Sequence, residues 1–311
     1  MVTEGLMIQI AVIGPGNISH RFMEGMKHVS GARVTSFVSR HPDSVREYAE
    51  QYGVEHIGTM EDILLKSGVN AAYISTPNHV HSEQIRFCLE RGIHVLCEKP
   101  ITVTVREYRD LLELAHARNL VLMEAQKALY TPVFAAIKQV LESGELGTIT
   151  SAEAGFCRNE GLPDDAWRLN TPGNGALYDV GCYPLAVLFG LFGSELREIG
   201  RSESFYKGSD VSGMIRLSDG TIPMTVRYSM IKEGLCGLNI TGTKGSISCP
   251  DFWKASSFEI TKNGNTETRS FPFESEFAFE TQYFVQRILD GFVIDEVHEA
   301  ISTSVLEILQ R

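Results

Sequence analysis

The segment IQIAVIGPGNIS, Ile8 to Ser19, limits what this chain can fold into more than any other. An apolar run without polar alternation suits a strand buried on both faces. Here it passes directly into Gly14, Pro15, Gly16, Asn17, Ile18 and Ser19, the pattern G-x-G-x-x-G with serine in the third glycine's place. Gly14 permits a tight turn. Gly16 lets backbone N–H groups of the next residues, Asn17 and Ile18, come close to a pyrophosphate at the start of a helix. Such a motif gains its weight from the strands and helices that surround it.

Four more apolar runs come after it: ARVTSFVS (Ala32 to Ser39), AAYIS (Ala71 to Ser75), IHVLC (Ile93 to Cys97) and LVLME (Leu120 to Glu124). Helical patterns lie between them. SVREYAEQYG closes on Gly53, MEDILLKSG is capped by Thr59 with Asp62 three residues on, and SEQIRFCLERG closes on Gly92. Strand–helix alternation of this kind implies right-handed crossovers and a doubly wound parallel sheet. After about residue 145 the pattern changes. Strand-like runs meet at Asp219-Gly220, around Thr243-Lys244-Gly245 and at Asn263-Gly264, three hairpin signals in a row. The end, from Phe277 to Gln310, is helical with a break near Gly291. The expected fold is α/β: a dinucleotide-type domain over residues 1–124, then an α+β domain with an antiparallel sheet over 125–311, whose last helix returns to the first domain.

Composition excludes several functions. A net charge of −11 argues against nucleic acid, whose phosphates need clustered Lys and Arg. No apolar run approaches the roughly 18 residues of a membrane span. MVTEGLM lacks the basic and apolar regions of a secretory signal. Six scattered cysteines without a CxxC pair read as reduced thiols, neither disulfide framework nor zinc site, and the expected location is the cytoplasm.

The chemistry-bearing residues cluster where strands end. The second run ends VSRHPDS, with Ser39 and Arg40 where an acid would bind the ribose of NAD, and a guanidinium there suits a 2′-phosphate. Thr76, Pro77 and Asn78 end another run at the same ligand-binding edge, with His79 and His81 just beyond. Spaced two apart, these histidines do not share a ligand on one helix face, and no metal is expected. HVLCEKP places Glu98, Lys99 and Pro100 at that edge as well; a lysine beside a nicotinamide is able to hold a substrate hydroxyl, with the proline, through a trans or a cis bond, fixing the backbone that aims it. In AWRLNTPGNGALYDVGCYPLAV a glycine-rich entry leads to Asp179 and Tyr183, four apart and on one helix face, an acid and a phenol that with a lysine supply a proton relay.

Together these residues resemble the glucose–fructose oxidoreductase/inositol dehydrogenase (Gfo/Idh/MocA) family. The matching segments are the glycine loop at 14–19, STPNHVH at 75–81, GIHVLCEKP at 92–100, GELGTI at 144–149, GALYDVGCYP at 175–184 and GTKGSI at 242–247. The resemblance implies a Rossmann domain followed by a domain with a large, open antiparallel sheet whose face forms an oligomer interface, here a homodimer or higher homo-oligomer. It places the EKP lysine, Lys99, beside nicotinamide and substrate. Many members carry D-x-G-x-H-x-x-D with histidine as acid/base; this chain has Asp179, Gly181 and Tyr183, and Ala186 replaces the last acid. Tyrosine there is similar to the branch of glucose–fructose oxidoreductase and the dihydrodiol and xylose dehydrogenases, where the tyrosine is the acid/base and NADP is favoured over NAD. The implied dinucleotide ligands are Gly14, Gly16, Asn17, Ile18, Ser39, Arg40, Thr76, Pro77, Asn78, His81, Glu98 and Lys99. Trp167 and Arg168 are the expected substrate contacts. The expected function is hydride transfer between NADP (or NAD) and a hydroxyl or carbonyl carbon of a sugar, polyol or related cyclic alcohol. Its rivals are redox-assisted glycoside cleavage and a non-catalytic dinucleotide sensor, for which a retained Lys99, Asp179 and Tyr183 would serve no purpose.

Removing Arg40 tests the cofactor reading. Arg40→Ala should weaken NADP binding by about 1.5–3 kcal/mol if the ion pair is shielded, and leave NAD nearly unchanged. Titration of both cofactors into both proteins measures this, and tighter binding of NAD than NADP by the wild type would reject it.

Overall fold

The computed structural model describes residues 7–66, 68–161, 167–170 and 173–310. The chain divides into two compact units. One takes in the chain through Ala125 together with Glu274–Glu299; the other takes Gln126–Phe273 and the chain from Ala300 onward.

The first unit alternates strand and helix: β1 (Ile8–Ile13), α1 (Asn17–Met26), β2 (Ala32–Val38), α2 (Arg46–Tyr52), β3 (His56–Gly58), α3 (Met60–Lys66), β4 (Ala71–Ile74), α4 (His81–Leu89), β5 (His94–Glu98), α5 (Val105–Ala117) and β6 (Leu122–Ala125). All six strands are parallel, in the order β3-β2-β1-β4-β5-β6. The order reverses beside β1, which pairs with β2 on one side and β4 on the other, and ligands of such sheets sit at this switch point. The apolar runs are the strands because helices cover both faces: Ile10, Val12, Ala71, Tyr73, Val95 and Cys97 are all buried. β3 has three residues, too short to carry a periodic signal, and the sequence pattern does not reveal it.

The local stop and start signals hold. Gly53, Gly92 and Gly291 adopt positive φ after α2, α4 and the helix that ends at Asp290. Thr59 and Asp62 bond each other reciprocally ahead of α3. Helix α5 has a full capping box, in which Glu107 N–H donates to the Thr104 hydroxyl and Thr104 N–H to the Glu107 carboxylate. The segment α9 (Phe277–Asp290) belongs to this unit and lies against α1. A Cβ on Gly25 would come within 2.7 Å of Phe277 Cβ, so the glycine lets the helices touch.

The second unit opens with α6 (Pro132–Glu142), β7 (Ile149–Cys157) and the short α7 (Trp167–Asn170). A π-helical turn over Leu177–Gly181 leads into α8 (Cys182–Phe192). Strands β8 (Arg197–Tyr206), β9 (Ser209–Ser218), β10 (Pro223–Ser229), β11 (Cys236–Gly242), β12 (Ser246–Pro250), β13 (Ser257–Lys262) and β14 (Asn265–Ser270) come next, and the last turns of α10 (Glu296–Leu309) belong here too. The sheet runs β14-β13-β12-β11-β7-β10-β9-β8. The three expected hairpins join β9 to β10, β11 to β12 and β13 to β14, and a fourth at Lys207-Gly208 joins β8 to β9. The sheet is antiparallel except where β7 pairs in parallel with β10.

The two strand segments Met214 to Leu217 and Pro223 to Tyr228 read as apolar on both faces, which would favour burial in a homodimer. The structure corrects this. One face carries Ala152, Ala154, Ile215, Leu217, Met224, Val226, Tyr228, Leu238, Ile240 and Ile247, all buried. The other carries Glu153, Ser212, Met214, Arg216, Thr225, Arg227, Asn239 and Ser248, with an Arg227–Glu153 ion pair. The alternation is therefore one-sided, as a sheet with helices on a single face requires.

Candidate active site

In the first unit the glycine loop, the TPN loop and the EKP loop leave the carboxyl ends of neighbouring strands β1, β4 and β5. Gly14 sits at φ +78°, and a Cβ there would lie 2.4 Å from Thr76 Cγ2. The glycine thus serves both the turn and the close approach of the TPN loop. Ser75 closes the same seam by donating to the Gly14 carbonyl at 3.0 Å. A Cβ on Gly16 would meet nothing nearer than 3.8 Å, so the backbone faces open space of the kind a phosphate needs. Asn17 and Ile18 begin α1, whose first N–H groups have no acceptor within the helix. Ser19, in the third glycine's position, is fully buried. Its hydroxyl donates to the Gly16 carbonyl at 2.7 Å and accepts from the Gly16 N–H at 2.8 Å, so it fastens the loop to the helix. The loop fits a dinucleotide.

Other side chains hold this edge in place. His81 is fully buried, with Nε2 2.7 Å from the Thr76 carbonyl and Nδ1 3.0 Å from the Pro100 carbonyl. It ties the TPN loop to the residue after Lys99, acting as a strut and not as an exposed contact. Burial pushes its imidazole below the ordinary value, against the opposing pull of the two carbonyls. Glu98 is buried and accepts from the Tyr73 hydroxyl at 2.6 Å; Thr76 donates to Gln84 at 2.6 Å. Burial, then the Glu98 charge, pushes the Tyr73 phenol well above its usual range. Lys99 is half-buried and precedes a cis Lys99–Pro100 peptide. Pro77 is half-buried and Asn78 buried. At the end of β2, Ser39 is half-buried, its hydroxyl accepting from the His41 N–H at 3.1 Å, while Arg40 is exposed.

In the second unit the GALYDVGCY segment is anchored from β9. Asp210 accepts the Leu177 N–H at 2.6 Å, and a Cβ on Gly175 (φ +108°) would collide with its carboxylate at 2.1 Å. Burial raises the Asp210 carboxyl. Asp179, in the π-helical turn, pairs with Arg168 at 2.7 Å, and Arg168 also reaches Glu160 at 2.6 Å. Burial disfavours the guanidinium, and the two carboxylates outweigh it. Of Trp167 only the backbone lies among the described residues.

Tyr183, in the first turn of α8, is 7% exposed. Its phenol oxygen accepts a hydrogen bond from Lys127 Nζ at 3.1 Å, and the same Nζ lies 4.8 Å from the ring centroid. Phe156 lies 5.7 Å from the Tyr183 ring and stacks on Trp253 at 4.0 Å. The sequence reading missed Lys127, Phe156 and Trp253. For Lys127 a signal existed: LVLMEAQKALY puts a lysine three residues beyond an apolar run, as HVLCEKP does shortly after its own. Its neighbour Gln126 is 2% exposed, and neither side-chain amide atom has a hydrogen-bond partner among the described residues. A buried amide left so costs about 1–3 kcal/mol.

Two family models cover most of the chain. The oxidoreductase family with an NAD-binding Rossmann fold matches residues 8–126, and the GFO/IDH/MocA C-terminal domain matches 134–248. The chain belongs to the GFO/IDH/MocA oxidoreductase family. It is an NAD(P)-dependent oxidoreductase. Among its relatives, the scyllo-inositol 2-dehydrogenase (NADP(+)) of Bacillus subtilis is 28% identical over 92% of this chain and 89% of that protein. The dTDP-3,4-didehydro-2,6-dideoxy-alpha-D-glucose 3-reductase of Saccharopolyspora spinosa is 28% identical over 93% and 90%. A 3-ketoreductase from Actinomadura kijaniata, solved with NADP and TDP-benzene, superposes with a TM-score of 0.87 at 25% identity, covering 96% of this chain and 94% of that one.

Because the Thr76 methyl fills the space beside Gly14, Gly14→Ala should lower stability by about 1–3 kcal/mol and weaken dinucleotide binding. Thr76→Ser, which removes the colliding methyl, should restore part of the stability in the double variant. Urea denaturation of the three proteins measures both effects; a Gly14→Ala protein as stable as wild type would contradict the packing account.

Proposed function

We propose that this oxidoreductase is an NADP-preferring dehydrogenase or reductase of a sugar, polyol or related cyclic alcohol, with Tyr183 as its acid/base. The observation that carries the reading is the Tyr183 phenol held by a buried ammonium at 3.1 Å, an arrangement made for a proton that comes and goes. When bound, the nicotinamide supplies or accepts the hydride. The residues do the rest. Tyr183 gives its proton to the carbonyl oxygen in reduction, or takes the hydroxyl proton in oxidation. Lys99 holds that oxygen by its ammonium, and Asp179, steadied by Arg168, orients a neighbouring hydroxyl. Gly14, Gly16, Asn17 and Ile18 would hold the pyrophosphate, Thr76, Pro77 and Asn78 would contact the bound dinucleotide at the same edge, and His81 and Glu98 keep that edge in shape. Phe156 offers an aromatic face beside Tyr183 against which the C–H face of a sugar ring packs. The NADP preference rests on Ser39 and Arg40. Since Arg40 is exposed, its contribution belongs at the small end for an ion pair. The relatives' names give an inositol and a nucleotide-linked keto-deoxysugar, six-membered rings that carry a hydroxyl or a keto group at the reacting carbon, and the substrate class is taken from theirs.

The open face of the eight-stranded sheet remains the surface proposed for a homodimer, through its ion pairs and hydroxyls and not through apolar contact. Sedimentation finding only a 34.5 kDa species at micromolar concentration would rule it out. A cytoplasmic location is part of the same proposal, supported by six scattered cysteines that form no disulfide among the described residues.

The catalytic reading is tested with a panel of sugars and inositols, followed by nicotinamide absorbance. Tyr183→Phe should lower turnover on the best substrate by roughly two to four orders of magnitude with little change in NADP affinity, and Lys99→Ala should impair both turnover and substrate binding. Near-full activity in Tyr183→Phe would refute the assignment.

A further inference from the structure

A lysine ammonium is rarely enclosed unless something inside answers its charge. Lys127 is 3% exposed, in the turn that comes after β6, and two of its contacts run to one side chain: the hydrogen bond to Tyr183 Oη at 3.1 Å, and the approach of Nζ to 4.8 Å from that ring's centroid. A phenolate oxygen at this distance is a stronger partner for an ammonium than a neutral phenol is. An ammonium is a donor only, so the phenol oxygen must accept, and its own proton turns away from Lys127. The adjoining residue Gln126 is buried too, and neither of its side-chain amide atoms is hydrogen-bonded among the described residues.

We propose that Lys127 is a positioning residue for the reaction, whose ammonium holds Tyr183 Oη, aims its proton outward and stabilises the negative charge that forms there. This rests on the reading of Tyr183 as acid/base and assigns the charge that supports it to Lys127, leaving Lys99 to hold the substrate oxygen. In the reducing direction the Tyr183 proton passes to the substrate oxygen, and the O–H bonding pair stays on Oη opposite the ammonium. In the oxidising direction that pair takes the hydroxyl proton back. A fixed cation in a closed site answers developing charge without reorganising at the moment of reaction.

Lys127→Met removes the charge at similar volume, and Lys127→Gln keeps a donor without it; both are measured so that one unfolded variant leaves the other to decide. Turnover on the fastest sugar or polyol of the panel should fall about 100-fold, the usual worth of one such group, with KM within a few-fold of wild type. Lys127→Arg, which keeps both charge and donor, should recover part of the turnover that Met and Gln lose, a rescue that a merely structural role does not give. Wild-type turnover in a folded Lys127 variant would overturn the proposal. If Tyr183→Phe is inactive while the Lys127 variants keep full turnover, the lysine's role fails and the acid/base reading stands. If Tyr183→Phe stays active, the acid/base reading fails and the role of Lys127 fails with it.

Discussion

Parallel pairing of β1 with both β2 and β4 is the constraint on which the dinucleotide site depends. Parallel neighbours cannot be joined by a tight turn, so each connection crosses back over the sheet and every strand delivers its carboxyl end to one edge. Residues about 60 positions apart in the chain become neighbours there. Gly14 and Thr76 meet so closely that a single methyl decides whether the loops fit, and His81 spans from Thr76 to Pro100. The glycine loop is only half of this arrangement. The other half is a set of polar side chains, Ser19, Ser75, His81 and Glu98, whose hydrogen bonds keep the edge open in the middle and rigid at its sides.

The second unit solves a different problem by different means. One face of its sheet is apolar and covered, and the other is mostly polar, carrying Glu, Arg, Ser, Thr and Asn with Met214 among them. The covered face supports the π-helical turn and α8, with Asp210 bonded to the Leu177 N–H. A π-helical turn widens the local hydrogen-bonding ring, and such departures recur at functional sites. Here it carries Asp179 and hands over to the helix that begins with Cys182 and Tyr183. Asp179 pairs with Arg168, and Tyr183 accepts a hydrogen bond from Lys127. Spacing puts an acid and a phenol on one helix face; it does not say what each of them meets there.

What the sequence alone determined about this protein is local or repetitive. Ile8 to Ile13 had to be a buried strand, since no other element takes so apolar a run directly into Gly14 and Gly16. The hairpin at Asn263-Gly264 carries its turn chemistry in two residues and the one at Asp219-Gly220 in the four from Asp219 to Ile222, while Gly53 and Gly92 end their helices by conformation. The tertiary structure decided what depends on neighbours distant in the chain. The parallel pairing of β7 with β10 joins strands about 70 residues apart, and no periodicity encodes it. β3 holds three residues and is a strand because Ser36 to Val38 lie beside it. The polar character of the open sheet face was legible in the alternation but could be assigned to a face only once the register was fixed. The lysine at Tyr183 was likewise a matter of packing. Lys99 and Lys127 look alike in sequence, each just beyond a buried strand, and only the fold, by enclosing Lys127 against the phenol, distinguishes them.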